Sequence, residues 1–368
     1  MKSHASSALS EHPQNTVASA TFSEEPARLG IKEPGETSAS AAKQERLLVF
    51  DCHEAWVYQL GALDCGLDII VGLPGRHVQG WDERMRPVPP RAQLVRLQDV
   101  PQDGSPYRCI VASNLTDLLD AKSFAGPRIL VLHETLDGAI LEQKATVSAD
   151  QLRRIVQKFI RLTGTHVVAV SKLKRRSWGL DGDVVPAAVA PSDYLPWSGD
   201  IPRGLRIANH IERRPRVLMW DLHQKAFSGL PVTLVGHNPG LERVTPAADW
   251  SALKQTLSSH RFYIHTADPH LEDGYNMASL EAMAAGLPVV GNRHPTSPIE
   301  HGVTGFLSDD PDELRSYAEL LLQDRDLALR MGQAARALVL EKFSYARFQE
   351  GFTQAVETAR RQWKRLSS

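Results

Sequence analysis

Two acidic residues with seven residues between them, Asp273 and Glu281, stand in the run LEDGYNMASLEAMAAG at 271–286. Asp273 and Gly274 lie in a polar loop. Apolar and small residues then recur at helical spacing through Met277, Leu280, Ala284 and Ala285. Gly286 and Pro288 predict the end of that helix, because glycine takes the left-handed turn and proline cannot extend the ladder. The first amides of a helix lack intrahelical acceptors and sit at the positive end of its dipole. A phosphate or diphosphate is therefore expected on the amides of Tyr275, Asn276 and Met277, with Gly274 allowing close backbone approach. Glu281, further along the helix, can accept hydrogen bonds from ribose hydroxyls. Asp273, outside it, can do the same for the hydroxyls of a sugar. An acidic loop ahead of an ordinary core helix is the plainer reading of the same residues.

Asp273, seven residues and then EAMAAGLPVV at 281–290 resemble the donor-binding segment of the retaining family 4 glycosyltransferases of GT-B fold, also called glycosyl transferases group 1. PIEHGVTGFL at 298–307 is similar to that family's next strand and turn, and the helical tail at 310–343 follows suit. The resemblance covers the C-terminal third well and the middle weakly. The family usually has glutamate at the first acidic position; here Asp273 stands there and Glu272 precedes it, so either is a candidate. The resemblance implies an α/β, GT-B fold with two Rossmann-like domains facing a central cleft. It implies glycosyl transfer with retention from a nucleotide-diphosphate sugar, bound as donor substrate, to a saccharide, lipid or small-molecule acceptor. No obligatory cofactor and no metal are expected.

The elements that must position these residues can be read in chain order. Residues 1–45 are rich in Ser, Ala, Glu and Pro and are expected to stay disordered. Strands are expected at 47–50, 67–71, 93–97, 109–112, 128–132 and 166–170, with a helix at 53–63, in an acceptor-side domain spanning 46–195. Asp51 is expected to cap the helix, and His53 and Glu54 stand at a strand's carboxyl end, where ligands of open α/β sheets bind. His133 follows the strand at 128–132. By resemblance it faces the donor sugar, where a histidine can bond a hydroxyl or act as base.

The helix expected at 151–162 sets Leu152, Ile155, Val156, Phe159 and Ile160 on one face and Arg153, Arg154, Lys158 and Arg161 on the other. Lys172, Lys174, Arg175 and Arg176 add to this basic stretch, which predicts a solvated face or peripheral contact with an anionic membrane. The Pro- and Gly-rich segment 191–204 reads as the interdomain linker. A nucleotide-sugar domain is expected at 196–344, with strands at 205–211, 231–235 and 261–265. Arg213 and Arg214 are the candidates for the donor diphosphate, since the guanidinium fork matches phosphate oxygens. Gly236, after the strand at 231–235, resembles the approach to the nucleotide-base pocket. The final helix, 345–368, is expected to return to the first domain.

At 368 residues, the length suggests two domains of ordinary size. A net charge of -1 argues against wholesale nucleic-acid binding. Three cysteines without metal-ligand spacing predict reduced thiols in a cytoplasmic protein. A catalytically impaired scaffold and a sugar-nucleotide epimerase are the alternatives the sequence leaves open. A nicotinamide dehydrogenase is disfavoured, because the three-glycine fingerprint is absent.

Overall fold

The computed structural model describes residues 45–75 and 80–367. Apolar runs bounded by polar turns form β1 (Arg46–Phe50), β2 (Gly66–Ile70), β3 (Ala92–Val95), β4 (Cys109–Ala112), β5 (Arg128–Leu132), β6 (His166–Ala169) and β7 (Asp183–Val184). These pair in parallel in the order β3-β2-β1-β4-β5-β6-β7. A second parallel sheet holds β8 (Ile201–Ile207), β9 (Val232–Val235), β10 (His260–His265), β11 (Val289–Gly291) and β12 (Gly305–Leu307), in the order β12-β11-β10-β8-β9. Strands buried on both faces read as continuous apolar runs, which is why β4 and β5 are so plain in the sequence.

Helices begin where a polar side chain can take an orphan amide. Thr135 accepts from Gly138 N, Ser148 forms a capping box with Gln151, and Ser171 accepts from Lys174 N. The helix expected at 53–63 is shorter: an α-turn, Glu54–Tyr58, runs into a 3-10 turn, Gln59–Ala62. Asp51 does not cap it. The N-cap is His53, with no side-chain bond, and neither Asp51 oxygen has a partner among the described residues. Burial, with Glu54 nearby, pushes the Asp51 carboxyl up to about 7. Helix Ala149–Thr163 also differs in detail, since Ile155 is exposed rather than packed with Val156.

An apolar cluster runs from one sheet to the other through Val49, Trp56, Tyr194, Leu280 and Val339 to Phe352. The last helix, Tyr345–Ser367, lies on β4, β5 and β6 of the first sheet, with Phe348 and Phe352 edge-on to Trp56. The chain therefore passes between the halves twice. The two passages are tied together by Val189 N donating to Phe343 O at 3.0 Å.

Helix Met277–Ala285 ends at Gly286, whose φ of 92° is left-handed. Helix Arg325–Lys342 crosses over that turn at Gly332, where an added Cβ would sit 1.9 Å from the Gly286 carbonyl oxygen. Backbone cannot yield as a side chain can. Gly332→Ala is expected to lower stability by about 1–3 kcal/mol, the usual cost of overpacking. An unchanged denaturant midpoint would contradict this.

Candidate active site

The carboxyl ends of the two sheets meet through side chains. Thr135, just after β5, donates to the Leu271 carbonyl at 2.8 Å. Arg214, after β8, pairs at 2.6 Å with Glu142 of helix Leu136–Gln143. Lys174, on helix Lys172–Trp178 after β6, reaches Glu272 at 2.7 Å and Asp273 at 3.2 Å. The acidic loop after β10 is thus gripped from the first half of the chain.

Asp273 is 1% exposed. Its Oδ2 faces Lys174, whereas Oδ1 has no partner among the described residues. Its neighbour Glu272 uses Oε1 for both Lys174 and the Asp273 amide. Burial works against charge on both Glu272 and Lys174. Their mutual attraction outweighs it, holding the carboxyl below and the ammonium above their ordinary ranges.

The expected amide cradle is half there. Asn276 caps helix Met277–Ala285 through Ser279, so its own amide is taken by Ser279 Oγ. The Gly274 amide is taken by Thr296 Oγ1 at 2.8 Å. The Tyr275 and Met277 amides have no acceptor among the described residues, so of the three amides expected to meet an anion these two are still open to one. A Cβ on Gly274 would meet the His294 ring at 2.7 Å, which explains a glycine there. The Tyr275 ring spans to the other half: its hydroxyl donates to Val170 O at 3.4 Å and its ring lies edge-on to Phe343.

Glu281 is 5% exposed, and it is not open to a ligand in this conformation. Arg86, from the 80–91 segment of the first half, donates to Glu281 Oε1, and Tyr194 bonds the same carboxyl. The Arg86 guanidinium also lies 4.3 Å over the Trp250 ring. Burial holds the Glu281 carboxyl above its usual range, against the pull of Arg86. Of the Pro- and Arg-rich stretch 76–91, residues 76–79 lie outside those described. The remainder is a turn whose Arg86 takes the very carboxylate expected to hold a pentose.

The other candidates separate. Arg213 is exposed with no ion partner among the described residues, whereas Arg214 faces the acidic loop and also lies 3.9 Å from Glu272. His133 packs edge-on to Trp56 at 4.8 Å, with Nε2 3.7 Å from Cys52 Sγ. Burial, with Lys174 and His53 nearby, pushes it down to about 3, so it is a neutral hydrogen-bonding group at neutral pH. Glu54 is engaged by the Asp82 amide. Gly236 follows β9 and its amide donates to Thr245 O at 3.1 Å, while an added Cβ there would meet the Ala208 carbonyl oxygen. Lys174, read as part of a basic surface, is instead 6% exposed. Among the described residues no three His, Cys, Asp or Glu side chains gather at metal-ligand spacing, and no helix is long and apolar enough to cross a membrane.

Two parallel α/β sheets meeting at their carboxyl ends, with the last helix returning to the first, give the chain the GT-B fold. The same fold is seen in HepE from Anabaena in complex with UDP and glucose, at TM-score 0.60 and 14% identity over 85% of this chain and 100% of that one. It is seen too in sucrose-phosphate synthase from Thermosynechococcus elongatus, at TM-score 0.61 and 16% identity over 85% and 98%. Residues 228–324 carry the segment described as Glycosyl transferases group 1. Over 76 residues the chain is 38% identical to N-acetyl-alpha-D-glucosaminyl L-malate synthase of Bacillus anthracis, covering 20% of each protein. Over 79 residues it is 39% identical to human Alpha-1,3/1,6-mannosyltransferase ALG2, covering 21% of this chain and 19% of that one. The chain thus spans about a fifth of the length of the curated relatives it matches.

Proposed function

We propose that the protein is a glycosyltransferase that moves a sugar from a nucleotide-diphosphate donor to an acceptor hydroxyl with retention of anomeric configuration. The observation that carries this reading is the Asp273–Glu281 segment. It presents a buried carboxylate oxygen and, next to it in the chain, the Tyr275 and Met277 amides, none of them with a partner among the described residues. On this reading the amides of Tyr275 and Met277, with Arg214, stabilise charge on the departing diphosphate. Asp273 Oδ1 accepts a sugar hydroxyl, Glu281 holds the pentose, and neutral His133 faces the sugar from the acceptor side. The first half of the chain, 46–195, takes the acceptor, and the second, 196–344, the donor.

A thermal-shift screen with UDP-, GDP-, ADP- and dTDP-sugars tests the reading. A true donor at a hundredfold its Kd stabilises by about 2.7 kcal/mol, a shift of several degrees. No shift with any of them would sink the proposal. NMR of the product anomer tests retention. Donor binding without transfer or hydrolysis would favour a scaffold, which the Arg86–Glu281 pair recommends as a second reading. Arg214→Ala is expected to lower turnover roughly 10–100-fold, the equivalent of one charge-assisted hydrogen bond of about 1.5–3 kcal/mol. Exposed Arg213→Ala should leave it nearly unchanged, and equal losses would reverse that assignment.

The reading places the protein in the cytoplasm. Arg154, Lys158 and Arg161, exposed beside Leu162 on one helix, support peripheral contact with an anionic membrane. Co-sedimentation with phosphatidylserine vesicles, but not with phosphatidylcholine vesicles, is the expected outcome.

A further inference from the structure

Lys174 is one of the polar groups at the meeting of the two halves that no sequence motif assigns. It comes from the first sheet's side, on a helix whose N-cap Ser171 fixes its backbone. Its ammonium lies between two carboxylates on adjacent residues, Glu272 and Asp273, at 2.7 and 3.2 Å. Two neighbouring carboxylates away from water repel each other unless a cation lies between them. Lys174 fills that role and engages only Oδ2 of Asp273, so Oδ1 is left buried and without a partner among the described residues. Buried carboxylate oxygens are ordinarily paired, and an unpaired one beside untaken helix amides marks a place kept for a hydroxyl donor.

We propose that Lys174 is a positioning residue for glycosyl transfer. It sets the Asp273 carboxylate so that Oδ1 meets a hydroxyl of the donor sugar, and it does so across the interdomain boundary. This rests on the transferase reading above. Because lysine and aspartate belong to opposite halves, the sugar-binding carboxylate is aligned only while the halves are apposed. Alignment and closure thereby become one event, as expected where closing completes a catalytic constellation. A buried ion pair that serves only the fold can often be exchanged for apolar packing, so stability alone does not decide the role.

The test compares Lys174→Met, Lys174→Arg and, as a control on the same helix's exposed face, Lys172→Met. The substrate is whichever of UDP-, GDP-, ADP- and dTDP-glucose the wild type hydrolyses fastest, and the matching free nucleoside diphosphate serves as binding probe. Lys174→Met is expected to lower kcat at least 30-fold while the free diphosphate binds within about threefold of wild type. Lys174→Arg should recover part of kcat, and Lys172→Met should match wild type. Should Lys174→Met not fold, Lys174→Gln, which keeps a donor without the charge, is read in the same way. A kcat within threefold of wild type overturns the inference, as does a loss shared equally by diphosphate affinity, which marks a merely structural pair. A wild type that neither binds nor hydrolyses any of the four removes the transferase reading first, and this inference with it.

Discussion

Arg86→Ala is expected to tighten nucleotide binding while lowering the melting temperature. On the proposed reading a pentose binds the Glu281 carboxylate, and that carboxylate is held by Arg86, whose guanidinium also covers Trp250 at 4.3 Å. The arginine is tethered, so it competes at a fixed high local concentration that no dilution relieves. A donor must displace a charge-assisted hydrogen bond of about 1.5–3 kcal/mol, equivalent to roughly 10–100-fold in affinity. Removing the competitor returns that factor. The same deletion leaves a buried carboxyl with only Tyr194 and forfeits a cation–π contact of about 1–2 kcal/mol, so stability falls. Calorimetric titration with UDP, GDP, ADP and dTDP reads the first effect and thermal unfolding the second. Weaker binding in the variant would mean that Arg86 itself holds the nucleotide.

Glu281→Ala is the converse case and the more damaging to the fold. It strands the Arg86 guanidinium, 5% exposed, without its anion. Leaving one member of a buried pair uncompensated costs about 3–5 kcal/mol. Nucleotide affinity should fall by about 1–3 kcal/mol as the hydroxyl acceptor disappears. The two losses separate in the double variant: Arg86→Ala with Glu281→Ala recovers most of the stability, because no charge is left alone, but none of the affinity. Residues in contact are not additive, and the size of that departure measures the pair. An additive cycle, or affinity indifferent to Glu281, would be incompatible with the roles assigned here.

The acidic segment was legible because its signals are local. Asp273, Glu281, the cap at Asn276 and the stop at Gly286 fall within one loop and one helix, where spacing alone dictates who shares a face. Most strands were legible as apolar runs, but β8 runs Ile201–Ile207 rather than 205–211, so its polar first half, IPRG, falls inside the stretch read as linker, and the two-residue β7 carries no apolar run at all. The partners of these carboxylates were not. Arg86 lies 195 residues from Glu281, and nothing in a proline- and arginine-rich stretch says which arginine turns inward. Lys174 was counted with Lys172, Arg175 and Arg176 as surface charge. One signal was available: Lys174 shares a helix face with Trp178, four residues on, and both are buried. The short helices Leu136–Gln143 and Lys172–Trp178 escaped because two turns give little periodicity, although Thr135 and Ser171 announce their starts.

The paired passages at Val189 and Phe343 restrict how a substrate gains entry. Sliding one half past the other would shear the hydrogen bond joining those two stretches of chain. Bending about that line leaves the bond intact. On the transferase reading admission is a swing, like a door on two adjacent pins, with the Arg86–Glu281, Lys174–Asp273 and Arg214–Glu142 fastenings released in the same stroke.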